Sequence, residues 1–368
     1  MIKKKTKIVI ASILKPVDDV RNYEKLGYTL SKSDQYDVIL MGTQTDEPHE
    51  NKVIAFHSWN PFKRLSIDRL KIQFSFLKAI LNHKPDLVII TTHELIFVSV
   101  FAKLITSFKL VYDVQEDYYL NLKHQNFYPA LIRYPAAYLI RSIEWLSRPF
   151  IHHYLLAEEV YSKNLVFAKG KATIIDNKSL PIINTPCADS FNFVFTGTIT
   201  DYSKAVESVQ LYSTIKQHFV NPKMIVIGHC PSATYLKKLR DLAHNDSSII
   251  LQIQDHPVPH NEIVAQIEKA NLAIIGYQTN PVNQYKVPTK QYEYTAARLP
   301  YLVRANTHWS KLGTELQGAI PIDFNDPQPE EIVRKLNIMD KDYIKSDLAL
   351  WENNEVLLLN LINNVIQQ

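Results

Sequence analysis

The sequence predicts an α/β protein of two doubly wound domains, on three observations. Apolar runs of strand length alternate with longer segments of helical apolar spacing, the pattern of parallel sheets covered by helices. The chain has 368 residues, the length of two domains with ample material for a core in each. Near its middle, residues 176–190 break the alternation with a run of Asn, Ser and Pro, which reads as a linker.

The elements follow in order. Residues 7–12, 36–42, 86–91 and 109–114 are apolar-rich runs of strand length and read as buried parallel strands, with 52–58 a shorter one. Residues 20–33, 66–82 and 94–107 carry helical spacing between them, and 129–152 reads as one long or broken helix. After the linker a second series begins. Its strands are 191–196, 224–228, 249–251, 272–277, 301–304 and 318–323; its helices are 204–217, 235–243, 260–269, 289–298 and 328–335. The tail, 341–368, has helical spacing. The expected division is 1–182, 190–345 and a terminal helix, 346–368.

Composition narrows the class. Hydrophobic residues make up 46% and charged residues 21%, as in ordinary globular proteins. The two cysteines, Cys187 and Cys230, have no metal-ligand spacing and make no disulfide framework, so a reducing cytosol is expected. The apolar run after the first lysines is too short for an export signal, and no segment has the apolar length to span a bilayer. Only eight glycines occur, and neither G-x-G-x-x-G nor a P-loop is present. That argues against a nicotinamide dehydrogenase and a P-loop kinase. Charge is uneven: residues 1–180 sum to +7 and the remainder to −3, so the first half suits an anionic partner unless the split is chance.

The stretch Asn283-Gln-Tyr-Lys-Val-Pro288-Thr-Lys290-Gln-Tyr-Glu293-Tyr-Thr-Ala-Ala-Arg-Leu-Pro300 follows an apolar run and opens a helix. A helix N-terminus attracts anions. Lys290 would add a point charge there, and Glu293, one turn in, can accept hydrogen bonds from a ribose. The alternative is an ordinary strand-loop-helix with Glu293 as a first-turn charge partner. The segment closely resembles the donor-binding segment of GT-B glycosyltransferases, especially glycosyltransferase family 4, which commonly read P-x-K-[LIF]-[YFW]-E-Y-x-A-x-x-x-P. The resemblance implies a ribose contact for Glu293. The family's earlier glutamate would fall on Tyr285, a departure that clouds donor identity.

Other segments resemble the family in the right order. Asp18-Asp19-Val-Arg21-Asn-Tyr-Glu-Lys25 resembles D-D-x-R-x-x-x-K; Arg21 would bind a phosphate or an acceptor carboxylate, or else an Asp caps the helix and Arg21 is solvated. Lys84-Pro-Asp86 through His93 resembles K-P-D-[VIL]-[IV]-x-x-H. Val111-Tyr-Asp113-Val-Gln115-Glu116-Asp117 resembles V-Y-D-x-H-E, with Gln115 where histidine is frequent. Glu116 and Asp117 would bind acceptor hydroxyls or cap a helix; His93 would face the cleft or satisfy a loop backbone group. Phe195-Thr-Gly197-Thr198 resembles the glycine loop opening the second domain, where many members carry an arginine after the glycine to hold the diphosphate. Here Thr198 stands in that place, and Lys204 is the candidate substitute or else a solvated first-turn residue. His256-Pro-Val258-Pro-His260 resembles the base-cradling loop. Its two histidines, split by prolines and lacking a third ligand, do not make a metal site. Asp340-Lys341-Asp342 is a formal D-x-D match, read as capping.

The resemblance implies a GT-B fold: two Rossmann-like domains facing across a cleft, with the C-terminal helix crossing back to the first. It implies transfer of a sugar from a nucleotide diphosphate sugar to an acceptor hydroxyl, with retention and without a metal or other cofactor. The catalytic residues would be Lys290, Glu293 and His93. The donor would be bound by Gly197, Thr198, Lys204, His256, Val258, Tyr285, Lys290 and Glu293, and the acceptor by Asp19, Arg21, Glu116 and Asp117. The acceptor would be a saccharide or lipid-linked saccharide of a surface polysaccharide or glycolipid, not nucleic acid. A sugar-nucleotide epimerase of the same fold and a non-catalytic sugar-nucleotide scaffold are the alternatives. Residues 128–150 are apolar, aromatic and basic. Arg133, Arg141 and Arg148 would share one helix face, with Lys63, Arg64, Arg69, Lys71 and Lys78 as a second basic stretch. Either the protein touches the inner face of a membrane, or this is a core helix with snorkelling arginines.

Overall fold

The computed structural model describes residues 5–45, 53–62, 66–124, 129–305 and 307–368. It forms two compact units, Met1–Asn177 with Glu352–Gln368, and Lys178–Trp351.

In the first unit seven parallel strands form one sheet: β1 (Thr6–Pro16), β2 (Tyr36–Thr43), β3 (Ile54–Trp59), β4 (Leu87–Ile90), β5 (Lys109–Val114), β6 (His153–Leu156) and β7 (Ala172–Ile174), in the order β3-β2-β1-β4-β5-β6-β7. The central strands are buried on both faces, which is why they read as unbroken apolar runs: Ile8 to Ala11 and Leu87 to Ile90 are at most 1% exposed. After β1 the chain turns through a π-helix, Arg21–Gly27, into α1 (Tyr28–Ser31). Next come α2 (Asp68–His83), α3 (Glu94–Ile105), α4 (Tyr118–His124), α5 (Ala130–Ser147) and α6 (Tyr161–Asn164). The links carrying α2, α3 and α5 all step the same way along the sheet. Right-handed crossovers therefore place these helices on one face, where α3 touches both others.

The second unit has six parallel strands: β8 (Asn192–Thr198), β9 (Lys223–His229), β10 (Ile249–Gln254), β11 (Leu272–Ile275), β12 (Tyr301–Arg304) and β13 (Ala319–Ile322), in the order β10-β9-β8-β11-β12-β13. Its helices are α7 (Ala205–Ile215), α8 (Ala233–His244), α9 (His260–Glu268), α10 (Thr289–Ala296), α11 (His308–Glu315) and α12 (Pro329–Ile338). The last helix, α13 (Glu352–Gln367), returns to the first unit. There Lys32 Nζ meets Glu355 Oε1 at 2.8 Å, and Tyr36 Oη donates to Asn363 Oδ1 at 2.5 Å.

Several expectations are corrected. The segment expected as one long or broken helix over 129–152 is helical only to Ser147, and β6 follows from residue 153. β6, β7, α4 and α11 were not expected as separate elements; they are short, and β7 is an edge strand only half-buried. The tail is not helical throughout: the 3-10 turns Lys341–Tyr343 and Ser346–Ala349 precede α13. Lys52, Lys63, Arg64 and Tyr128 lie outside the described residues.

Candidate functional site

In the second unit the chain steps from β8 through β9 to β10 on one side, then returns to build β11, β12 and β13 on the other. Open parallel sheets bind ligands at such a reversal, beyond the C-terminal ends of the strands. Gly197 lies at that end of β8 with φ +95°, and a Cβ on it would stand 2.5 Å from Nζ of Lys290. Two residues 93 positions apart therefore touch at the switch point. Gly197 pairs in register with Gly228, where a Cβ would fall 1.8 Å from Gly197 O. The two backbones are in close contact, and no side chain fits at either position.

Lys290 sits in the first turn of α10. The N-cap residue is Pro288, which has no side chain to accept from the first turn; Gln291 N donates to Pro288 O at 2.9 Å, and the N–H groups of Thr289 and Lys290 are left without a side-chain cap at the positive end of the helix dipole. Lys290 Nζ donates to Tyr277 Oη at 2.7 Å and lies 5.1 Å from that ring's centroid. Among the described residues no carboxylate pairs with it. A half-buried ammonium held only by a phenol and a ring face favours an anion. Tyr277 follows β11, and Arg304 fixes its loop by donating to Tyr277 O at 3.3 Å and Gly276 O at 3.4 Å. The sequence reading missed Tyr277 and Arg304; an aromatic directly after an apolar strand was the available signal.

Glu293, one turn beyond Lys290, is 17% exposed, and one carboxylate oxygen is 3.3 Å from His260 Nε2 at the start of α9. The remaining donor-side residues divide. Thr198 ends β8 exposed. His256 is exposed, its Nδ1 3.3 Å from Pro257 O, whereas the Val258 side chain belongs to the core and is not a surface contact. Tyr285 points outward, edge-on to His308 with centroids 6.3 Å apart. Its loop is shaped by Asn280, which accepts from Val282 N at 2.8 Å, and by Asn283, which accepts from Asn280 N at 2.7 Å. Lys204 is corrected on both readings. It is neither solvated nor a bare cation: Asp201 and Glu207 hold its Nζ at 3.3 and 3.1 Å. Burial pulls its pKa down, but the two carboxylates outweigh that and raise it.

In the first unit the reversal lies between β1 and β4. Arg21 is corrected: it is 3% exposed, with Nε and Nη2 on Asp113 at 2.9 and 2.6 Å and Nη1 on Ile175 O at 3.0 Å. It ties β5 to the π-helix and is not a solvated residue. Gln115 extends this network, donating to Asn22 Oδ1 at 3.0 Å and Asp113 Oδ2 at 2.7 Å and accepting from Lys15 Nζ. Asp19 pairs with Lys15 at 3.0 Å and accepts from Asn22 N at 3.1 Å, as a capping residue does. Asp117 follows the capping alternative: it is 1% exposed, accepts from Leu120 N at 3.2 Å at the start of α4 and pairs with Arg141 at 2.6 Å. Glu116 stays exposed and accepts from Asn121 Nδ2.

His93 stands at the end of β4, its ring 4.2 Å from that of Tyr118. Burial lowers its pKa against the pull of Glu94, so it is neutral at pH 7. Among the described residues, His93 Nδ1, Glu94 Oε2 and Asp117 Oδ2 are buried without a hydrogen-bond partner, the first two facing each other at 3.9 Å. Such atoms are rare in folded proteins and mark where a ligand or water belongs. Nearby, burial raises Glu144 to a pKa of about 7 despite its 3.1 Å contact with Arg141.

Arg133, Arg141 and Arg148 do not share a solvated face. Arg141 is tied to Asp117 and Glu144, and Arg148 donates to Phe167 O at 2.8 Å and Lys169 O at 3.3 Å. Asp340 caps its 3-10 turn, accepting from Asp342 N at 2.9 Å. Among the described residues no three His, Cys, Asp or Glu side chains gather as metal ligands, and no helix is long and apolar enough to cross a membrane.

No family model and no curated protein matches the sequence. Solved structures match its fold along nearly the whole chain. Sucrose-phosphate synthase from Thermosynechococcus elongatus is similar with a TM-score of 0.73 at 12% identity, covering 99% of this chain and 100% of that one. HepE from Anabaena, solved in complex with UDP and glucose, gives 0.62 at 11%, covering 99% and 98%. A Listeria monocytogenes protein provisionally assigned as a UDP-N-acetylglucosamine 2-epimerase gives 0.63 at 14%, covering 99% and 96%. At these identities the likeness establishes the fold: two Rossmann-like domains of the GT-B type.

Proposed function

We propose that the chain is a glycosyltransferase that moves a sugar from a nucleotide diphosphate sugar to an acceptor hydroxyl. One observation carries the reading: Lys290, without a carboxylate partner among the described residues, lies against Gly197 at the switch point, over the uncapped N-terminus of α10. As the C1–O bond breaks, its electron pair stays on the β-phosphate oxygen, and the leaving diphosphate gains one unit of negative charge. A fixed ammonium and helix amides preorganised around it stabilise that charge most in the transition state. Glu293, oriented by His260, would accept from the two ribose hydroxyls. Lys204, already neutralised by two carboxylates, contributes least.

The donor belongs to the second unit and the acceptor to the first. Neutral His93, beside buried polar atoms that lack partners, is the group there best suited to accept a hydrogen bond from an acceptor hydroxyl. The UDP and glucose bound in the HepE structure support a nucleotide sugar as donor. Retention of configuration, independence of metal and a saccharide or lipid-linked saccharide acceptor rest on the family resemblance. The epimerase reading is favoured by the likeness to the Listeria protein and to a second UDP-N-acetylglucosamine 2-epimerase.

A thermal-shift screen of nucleoside diphosphates tests the site. A ligand at a hundred times its Kd stabilises the folded state by about 2.7 kcal/mol, a shift of several degrees. At least one diphosphate should do this, and Lys290→Met should abolish it; no shift with any of them overturns the reading. Turnover then separates the classes, since a transferase consumes donor only with an acceptor and an epimerase needs none.

A further inference from the structure

The first unit carries an apolar surface that its own core does not use. α2, α3 and α5 lie side by side on one face of the sheet. Each buries an inner stripe, such as Ile72, Phe76 and Ile80 on α2 and Leu95, Val98 and Ala102 on α3. Each also presents an outer apolar stripe. Leu70 and Phe74 on α2, Phe97 and Leu104 on α3, and Trp145 and Leu146 on α5 are all 60–74% exposed. The positions 97 and 104 are two turns apart, so the stripe is a face and not scatter. A helix apolar on both sides belongs inside something, and exposed apolar residues on three adjoining helices exceed what a monomer in water ordinarily shows.

Charge indicates what covers this face. The three helices hold six Lys and Arg against three Asp and Glu. Of those carboxylates, Glu94 and Glu144 are 10% and 1% exposed and ion-paired, and Asp68 is paired with Lys71 at 2.8 Å. Lys71 and Lys78 stay exposed beside Phe74 on the outer side of α2. An apolar plane of Phe, Leu and Trp beside an exposed Lys78 and a Lys71 shared with Asp68, with no unpaired carboxylate among the three helices, matches the acyl and headgroup layers of an anionic bilayer. We infer that the outer face of α2, α3 and α5 docks the protein onto an anionic phospholipid membrane, lying on it without crossing. The arginines of 128–150 are not the anchor, because Arg141 and Arg148 are engaged within the unit. The aromatic and aliphatic side chains insert, and the lysines supply the attraction.

Co-sedimentation of the full chain with vesicles tests this. Vesicles of phosphatidylethanolamine with phosphatidylglycerol should retain the protein, pure phosphatidylcholine vesicles should retain it at least tenfold less, and added salt should weaken the binding. Trp145 fluorescence should shift to the blue on binding, and the shift should vanish in Trp145→Phe. The double variant Phe97→Ser with Leu104→Ser should keep the melting temperature, because both side chains face outward, and lose at least tenfold in vesicle binding. Absence of both retention and shift would overturn the inference. So would a dimer in sedimentation velocity that the double variant dissociates while vesicles retain neither form, which would make a second copy the occupant. No nucleotide is present in these assays, so their failure and the failure of the sugar-transfer reading are read separately.

Discussion

At Gly197 a single hydrogen in place of a side chain decides where a charge sits. A Cβ there would press on Lys290 Nζ, and φ +95° disfavours any L side chain. Gly197→Ala is expected to cost about 1 kcal/mol of stability and to weaken nucleoside diphosphate binding further by displacing the ammonium. Glu293→Ala should weaken the same binding by about 1–3 kcal/mol, the scale of a charged hydrogen bond. Calorimetric titration of both variants checks this, and unchanged affinities in folded protein would remove the donor assignment. Arg21 is a residue of another kind. Arg21→Met leaves Asp113 buried and uncompensated, so it should destabilise the fold by about 3–5 kcal/mol, read by urea unfolding. A drop below 1 kcal/mol would show the pair to be dispensable. The places of Lys290, Glu293 and Gly197 in the fold were legible in the sequence because their signals are local: a helix start, one turn, a loop glycine. Arg21 was not, because its partner lies 92 residues away and only folding brings them together.

Among the elements, strands buried on both faces were the most legible. β4 is apolar throughout and β1 is apolar over Ile8–Ala11, and β5, although it holds Lys109 and Asp113, has the bounds the sequence suggested. The sheet edge was not, because β6 and β7 hold four and three residues and carry no long apolar run. Within α5, Glu144 makes the stability depend on pH. Its folded pKa, about 7, lies above the ordinary carboxylate value, so between pH 4.5 and 7 the folded state holds a proton that the unfolded chain has lost. Stability should therefore fall as pH rises through this window, by on the order of 3 kcal/mol from this group alone. Urea unfolding at pH 5 and pH 8 should show a smaller difference in Glu144→Gln than in the parent. An equal difference would mean that Glu144 ionises normally.

For the molecule as a whole, the proposed function assigns donor and acceptor to the two separate reversals of strand order. His93→Ala and Glu116→Ala should slow transfer by tenfold or more and leave nucleotide affinity nearly unchanged, whereas Lys290→Met should weaken both. If the first pair loses nucleotide binding instead, the assignment of donor and acceptor is reversed. Transfer should also continue in EDTA; its loss, with rescue by manganese or magnesium, would contradict a metal-independent reaction.

The return of α13 to the first unit has a consequence for how the protein is made. Residues near the beginning of the chain, Lys32 and Tyr36, wait for Glu355 and Asn363, near its end. Synthesis at roughly 5–20 residues per second leaves an interval on the order of 10–40 s between the ribosome finishing β7 and delivering α13. During it the later-made second unit has all of its residues first. Birth order and completion order are thus inverted. A chain ending at Trp351 should show this under limited proteolysis, with residues 178–351 resistant and the earlier-made residues cut. Equal resistance of both would mean that the first unit closes without its last helix.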